Sequence, residues 1–142
     1  MLKISELAGR IGLSAHTIRF YEKHGLIEAS ERSESGYRLY NAADVNRAEF
    51  VKTARNIGFS LEDIAQLLSV RLDRSGHSCQ EVTDITRNKL HEVNRKMAEL
   101  EAMQKVLSRL LDNCDGGLEN ATHCSILEVL DNGGLATTGR VN

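Results

Sequence analysis

The chain has 142 residues with no proline or tryptophan, enough for one domain or for a small globular head carrying an extended helix, and too little for a large enzyme. Its formal net charge is −2, and the balance is nearly even along its length: residues 1–75 hold 11 Lys+Arg against 10 Asp+Glu, and residues 76–142 hold 7 against 10. A basic chain that coats nucleic acid by overall charge is excluded, so any nucleic-acid partner must be argued from where charges sit.

The N-terminal MLKISELAGR is interrupted by Lys3, Glu6 and Arg10, and no apolar run approaches the ~20 residues that span a bilayer. The reading is a cytoplasmic protein with no membrane partner. Ser5 is placed to cap a helix through about Ile11. Gly12 breaks it, and Ser14 caps a second helix carrying HTIRFYEKHG, which stops near Gly25. In ASERSESGYRLY, residues 29–40, a Ser/Glu/Gly-rich turn leads into Tyr37 and Leu39 on one side and Arg38 and Tyr40 on the other, a small wing-like hairpin.

Asn41 with Asp44 forms an acidic variant of the capping box, and Val45, Ala48, Phe50, Val51, Ala54 and Ile57 follow at helical intervals until Gly58. Ser60 with Asp63 repeats the device before LEDIAQLLSVRL. Residues 1–72 thus read as a head that is helical apart from one hairpin. After the polar DRSGHSC, Ser78 with Glu81 places Cys79 in the first turn of a helix over 79–112. Thr86, Leu90, Val93, Met97, Leu100, Gln104, Leu107 and Leu111 alternate steps of four and three, the spacing of a coiled-coil seam, so residues 73–112 read as a linker and dimerisation helix. Gln104 inside that seam is a candidate for fixing register. Residues 113–131 read as a loop with a short helix from SILEVL, and 132–142 as a loose tail.

Ala8, Gly12 and Ile18 match a helix-turn-helix: a small residue at the helix crossing, a glycine at the turn and a buried branched residue on the second helix. Arg19 and Lys23 on that helix and Arg32 and Arg38 around the wing would then line one face and reach phosphates, with His16, Thr17 and Tyr21 at the groove. The competing reading is a solvated charged surface.

TIRFYEKHGLI, SGYRLY, ADV and GFSLEDIAQLL, in this order and near these spacings, resemble the MerR family of transcriptional regulators, over about Ile4 to Leu130. The resemblance implies a mainly α fold: a winged helix-turn-helix head, a connecting helix pair, a long antiparallel dimerisation helix and a C-terminal metal loop. It also implies Arg19, Tyr21, Tyr37 and Arg38 as DNA-contacting residues, and a homodimer on an inverted repeat in double-stranded promoter DNA. The promoter's spacer would be too long, and metal binding would distort the DNA to realign its elements for RNA polymerase.

Three cysteines, Cys79, Cys114 and Cys124, are an odd set, and in a reducing compartment they leave metal binding, thiol redox chemistry or packing. A straight helix between Cys79 and Cys114 would separate them by roughly 50 Å, so they cannot share an ion within one chain. Antiparallel pairing brings Cys79 of one subunit beside Cys114 and Cys124 of the other, with two equivalent sites per dimer. A cysteine in the first turn of a helix favours the thiolate that a soft or borderline metal requires, and Gly116 and Gly117 let the loop close tightly. A tetrahedral Zn(II) would take a fourth donor from His123, Asp115, Glu119 or His77.

Family members that sense monovalent ions carry serine in place of Cys79, so the resemblance points to divalent ions. RLDRSGHSCQE and HCSILEVL resemble the zinc-responsive branch. Asp115 and Glu119 stand where that branch has a second cysteine and a histidine, which opens Cd(II), Pb(II) or Hg(II) as alternatives to Zn(II). The four clustered cysteines of the iron–sulfur branch are absent, leaving a disulfide sensor as the redox alternative. No nucleophile with a paired base, phosphate-binding glycine loop or open zinc site marks an enzyme.

Overall fold

In the computed structural model, the described residues are 1–114, 116–118 and 120–133. They fall into two compact units, Met1–Lys89 and Leu90–Asn142. The first unit opens with α1 (Ile4–Ile11) and α2 (Ala15–Lys23), followed by a two-stranded antiparallel hairpin of β1 (Glu31–Arg32) and β2 (Arg38–Leu39). Helices α3 (Ala42–Ile57) and α4 (Leu61–Leu72), a 3₁₀ turn over Arg74–Gly76 and the start of α5 (Cys79–Asp112) complete it.

The helix starts follow the capping chemistry, with one correction. Ser14 Oγ accepts from the Thr17 amide at 3.0 Å. Asn41 and Asp44 cap each other at 2.8 and 2.9 Å, and Ser60 and Asp63 do so at 3.1 Å in both directions. Ser5 is not the cap of α1. The helix begins at Ile4, and Glu6 Oε1 accepts from the Lys3 amide at 3.0 Å. The cause is tertiary: Leu2 bridges Tyr40 as a third, one-residue strand beside the wing, with 2.8 Å bonds in both directions, so the chain turns helical as it leaves that bridge.

Leu7, Ile11, Ile18, Ile27, Tyr40, Val51 and Ile64 fill the centre of the head, and Val82 and Ile85 of α5 pack against that core. Two helix ends need glycine: α1 closes on Gly12 at φ 73° and α3 on Gly58 at φ 111°, both in the left-handed region. Gly12 also meets Lys52 Nζ at 3.1 Å from where a Cβ would sit.

In the second unit α5 continues to Asp112, and α6 (Ser125–Asp131) follows a short 3₁₀ turn over Ala121–His123. Ser125 Oγ donates to the Asn113 carbonyl, closing the loop between α5 and α6.

Asp44 joins three segments. Besides capping α3, its carboxylate accepts from the Ser30 amide at 3.1 Å and the Ser30 hydroxyl at 2.7 Å. Asp44→Ala should therefore destabilise the head by about 2 kcal/mol, against about 1 kcal/mol for Ser60→Ala, which removes one capping bond. Urea unfolding midpoints compare the two.

Candidate nucleic-acid face and metal-binding cysteines

Burial of Ile18 and Tyr21 fixes which side of α2 faces the core. His16, Arg19 and Lys23 lie exposed on its other surfaces, together with Phe20 at 43% exposure. Thr17 is half-buried, and its hydroxyl shares a 2.8 Å hydrogen bond with Ser14 Oγ. Tyr21 departs from the sequence expectation of a groove-facing side chain. It is 6% exposed and edge-on to Phe20, because it follows Ile18 by three positions and shares the buried helical face.

In the wing, Tyr37 is 63% exposed with Lys3 Nζ 5.8 Å from its ring centroid. Arg32 Nη1 donates to the Gly36 carbonyl at 2.9 Å, bracing the turn. Arg38 Nε lies 3.2 Å from Glu22 Oε2 on α2. Tyr40 is wholly buried beneath them, and its hydroxyl and Glu22 Oε1 are both enclosed without a partner of hydrogen-bond geometry among the described residues. The two atoms complement each other, since a phenol donates and a carboxylate accepts. Burial, and after it the charge of Glu22, raise the Tyr40 pKa far above the usual phenol value. Sequence reasoning missed Lys3 and Glu22. Neither has a spacing signal, and only the Leu2–Tyr40 bridge and the fold of the wing over α2 bring them to this face.

The even charge balance is explained by where the other cations go. On α3, Arg47 donates to the carbonyls of Leu26 at 2.8 Å and Gly25 at 3.3 Å, and Arg55 donates to that of Phe59 at 3.1 Å. Lys52 donates to the Ile11 carbonyl at the end of α1. These side chains satisfy carbonyls where helices end. Arg19 and Lys23 remain exposed on α2, adjoining the wing.

Cys79 is the first residue of α5 and is exposed. Just before it, His77 Nδ1 pairs with Glu81 Oε2 at 2.8 Å, and the same oxygen accepts from the Ser78 amide at 3.3 Å. Cys79, His77 and Ser78 line a cavity of about 360 Å³ with Phe50, Leu67, Val70 and Val82.

Cys114 and Cys124 are half-buried and lie together in the second unit. Cys124 is the N-cap residue of α6. Its thiol pKa is lowered, chiefly by the Leu127 amide; desolvation opposes this next, the Ile126 amide and hydrogen bonding with Cys114 lower it further, and Glu128 opposes least. His123 is exposed and ends the 3₁₀ turn beside it. Among the described residues no three His, Cys, Asp or Glu side chains converge on one point. Asp115 and Glu119, named above as possible ligands, lie outside the described residues.

Comparison with known proteins agrees with this architecture. The family pattern described as "MerR HTH family regulatory protein" matches residues 2–70, and "MerR, DNA binding" matches 45–110. The HTH-type transcriptional regulator ZntR of Escherichia coli K12 is 45% identical over 133 residues, 94% of each chain. A mercuric resistance operon regulatory protein of Bacillus cereus is 37% identical, over 90% of this chain and 96% of that one. Among solved structures, the lead(II) complex of PbrR691 from Ralstonia metallidurans CH34 superposes with a TM-score of 0.80 at 33% identity, covering 92% of this chain and 99% of that one.

The chain belongs to the MerR family of helix-turn-helix transcriptional regulators. It is a metal-responsive transcription regulator and not an enzyme. Among the described residues, no helix is long and apolar enough to cross a membrane.

A thiol with a lowered pKa is thiolate at lower pH, so Cys124 should alkylate with a half-maximal rate below the pH of an ordinary cysteine. Iodoacetamide labelling of the reduced, metal-stripped protein, read by peptide mass spectrometry, checks this. Cys114→Ala, which removes the neighbouring thiol donor, should move the midpoint upward.

Proposed function

We propose that the protein is a zinc-responsive transcriptional activator of a metal efflux gene. In this reading it works as an antiparallel homodimer in which Cys79 of one protomer joins Cys114 and Cys124 of the other around the ion. The observation that carries the reading is the thiol pair at the N-cap of α6. Two sulfurs lie together where helix amides favour thiolate, while no third ligand of the described residues completes the set within the chain.

Sulfur donors of this kind suit soft and borderline divalent ions. The bound ion would supply a cross-link between protomers, with a fourth coordination position for His77, Asp115, Glu119 or His123. The exposed stripe of Leu90, Val93, Met97, Leu100, Leu107 and Leu111 argues for a second copy of α5, and antiparallel pairing places the start of one helix beside the end of the other. Zinc is preferred over Cd(II), Pb(II) and Hg(II) on the 45% identity to ZntR, while the mercury-resistance relatives and the lead-bound neighbour keep those ions in the test.

Promoter DNA is the second ligand, and RNA polymerase is the partner the bound promoter serves. A solved relative bound to promoter DNA, at 28% identity and a TM-score of 0.54, supports this assignment. In our reading Arg19, Lys23, Arg32 and Arg38 meet phosphates, His16 and Thr17 face the groove, Tyr37 covers the backbone from the wing, and Tyr21 holds α2 from beneath. A dimer whose heads are set differently when loaded would bind a distorted promoter better, and that difference in affinity drives the switch. The adjacent Cys114 and Cys124 also suit a disulfide, which makes thiol oxidation the second reading.

Equilibrium competition for Zn(II), Cd(II) and Pb(II) under reducing conditions, with promoter transcription read alongside, tests both. Wild type should take up zinc stoichiometrically, and Cys79→Ser should lose at least about a hundredfold in affinity together with the response, since even outer-shell losses cost 10- to 100-fold. Full affinity and response in the serine variant would end the shared-site reading. A reduced protein that ignores metal and switches on oxidation would favour the disulfide.

Dimerisation is checked separately. Leu100→Lys buries a charge in the proposed seam, so it should sediment as a monomer and lose tight metal binding with all three cysteines present.

A further inference from the structure

We propose that Glu22 is a positioning residue for DNA binding: it holds the Arg38 guanidinium by its Nε, so that the two terminal nitrogens of Arg38 present a fixed fork to a backbone phosphate. The inference rests on the assignment of Arg38 as a phosphate contact and adds to it the residue that aims it.

The argument starts from geometry. Glu22 lies on α2 and Arg38 on β2, and the 3.2 Å contact uses the Nε edge of the guanidinium, with Oε2 as acceptor. Arg38 is 39% exposed at the side chain and Glu22 only 12%, so the pair has a buried acidic end and an open cationic end. A guanidinium offers five N–H donors in a planar fork, and engaging one edge fixes the plane of the rest. Bidentate recognition of phosphate needs such a fixed plane.

The acid is largely shielded from solvent: Glu22 Oε1 is enclosed, the carboxylate's charge bears on the buried Tyr40 hydroxyl, and Tyr40 is held by the bridge to Leu2. The same contact ties the wing to α2, so helix and wing would approach DNA as one body. Lysine at position 38 could keep the charge but not this arrangement, because an ammonium has no second edge.

An acidic residue beside a DNA-contacting cation opposes binding by simple charge, and this makes the sign of the effect diagnostic. Glu22→Gln removes one negative charge, so charge alone predicts tighter binding. Positioning predicts the opposite, a loss of about tenfold, because the neutral amide that replaces the carboxylate holds the guanidinium edge by a weaker bond that lacks charge assistance.

The experiment measures affinity and its salt dependence for full-length wild type, Glu22→Gln, Arg38→Ala, Arg38→Lys and the Glu22→Gln/Arg38→Ala double variant. The probe is a labelled duplex selected by wild type from a randomised pool. Thermal unfolding is recorded for each. Expected are a weaker Glu22→Gln, no further loss when it is added to Arg38→Ala, a salt slope reduced by about one in Arg38→Ala, and an Arg38→Lys variant weakened despite its retained charge.

Unchanged or tighter binding by Glu22→Gln, an equal loss with and without Arg38, or full binding by folded Arg38→Lys would overturn the proposal. Those results leave the phosphate contact intact if Arg38→Ala still weakens binding. An Arg38→Ala variant with unaltered affinity and salt slope would instead remove the contact on which the proposal stands. If Glu22→Gln does not fold, Arg38→Lys against Arg38→Ala decides the question.

Discussion

Six apolar side chains along α5, Leu90, Val93, Met97, Leu100, Leu107 and Leu111, are 37% to 68% exposed in the single chain. Their steps of three, four and seven set them on one stripe of a 34-residue helix. Burying a leucine fully is worth roughly 1.5–3 kcal/mol, so this stripe represents a large unrealised stabilisation. Leu110 alone is buried on the part of α5 beyond Lys89. A helix of this composition is completed by packing against another element rather than by propensity. Everything proposed for the cysteines depends on that requirement for a partner helix.

The head solves a different problem with little material. Its chain has hardly more cations than anions, yet it presents exposed Arg19 and Lys23 on α2. It does so by engaging Arg47, Lys52 and Arg55 with helix-end carbonyls and joining Arg38 to Glu22. Local placement therefore carries the functional electrostatics, and net charge is uninformative about it.

Thiol chemistry is set by similarly local features. Cys124 owes its lowered pKa first to backbone amides at the start of α6 and only then to its sulfur neighbour. The loop that joins the two cysteines is closed by Ser125 against Asn113. Sulfur donors in such a setting fit the family's relation to metal-responsive regulators without identifying the ion, because zinc, cadmium, lead and mercury all accept thiolate.

Much of this was legible in residue order alone. Capping pairs such as Asn41 with Asp44 and Ser60 with Asp63 act over three residues, so helix starts follow from local chemistry, as does the 3.5-residue repeat of α5. The start of α1, the approach of Lys3 to Tyr37 and the Glu22–Arg38 pair were not legible. Each depends on the Leu2–Tyr40 bridge or on the seating of the wing over α2, contacts between residues far apart in the chain. Short-range periodicity determined the elements and the cysteine spacing. The tertiary structure alone decided which polar side chains brace the fold and which stay exposed, because burial and ion pairing are properties of surfaces that exist only once those elements pack.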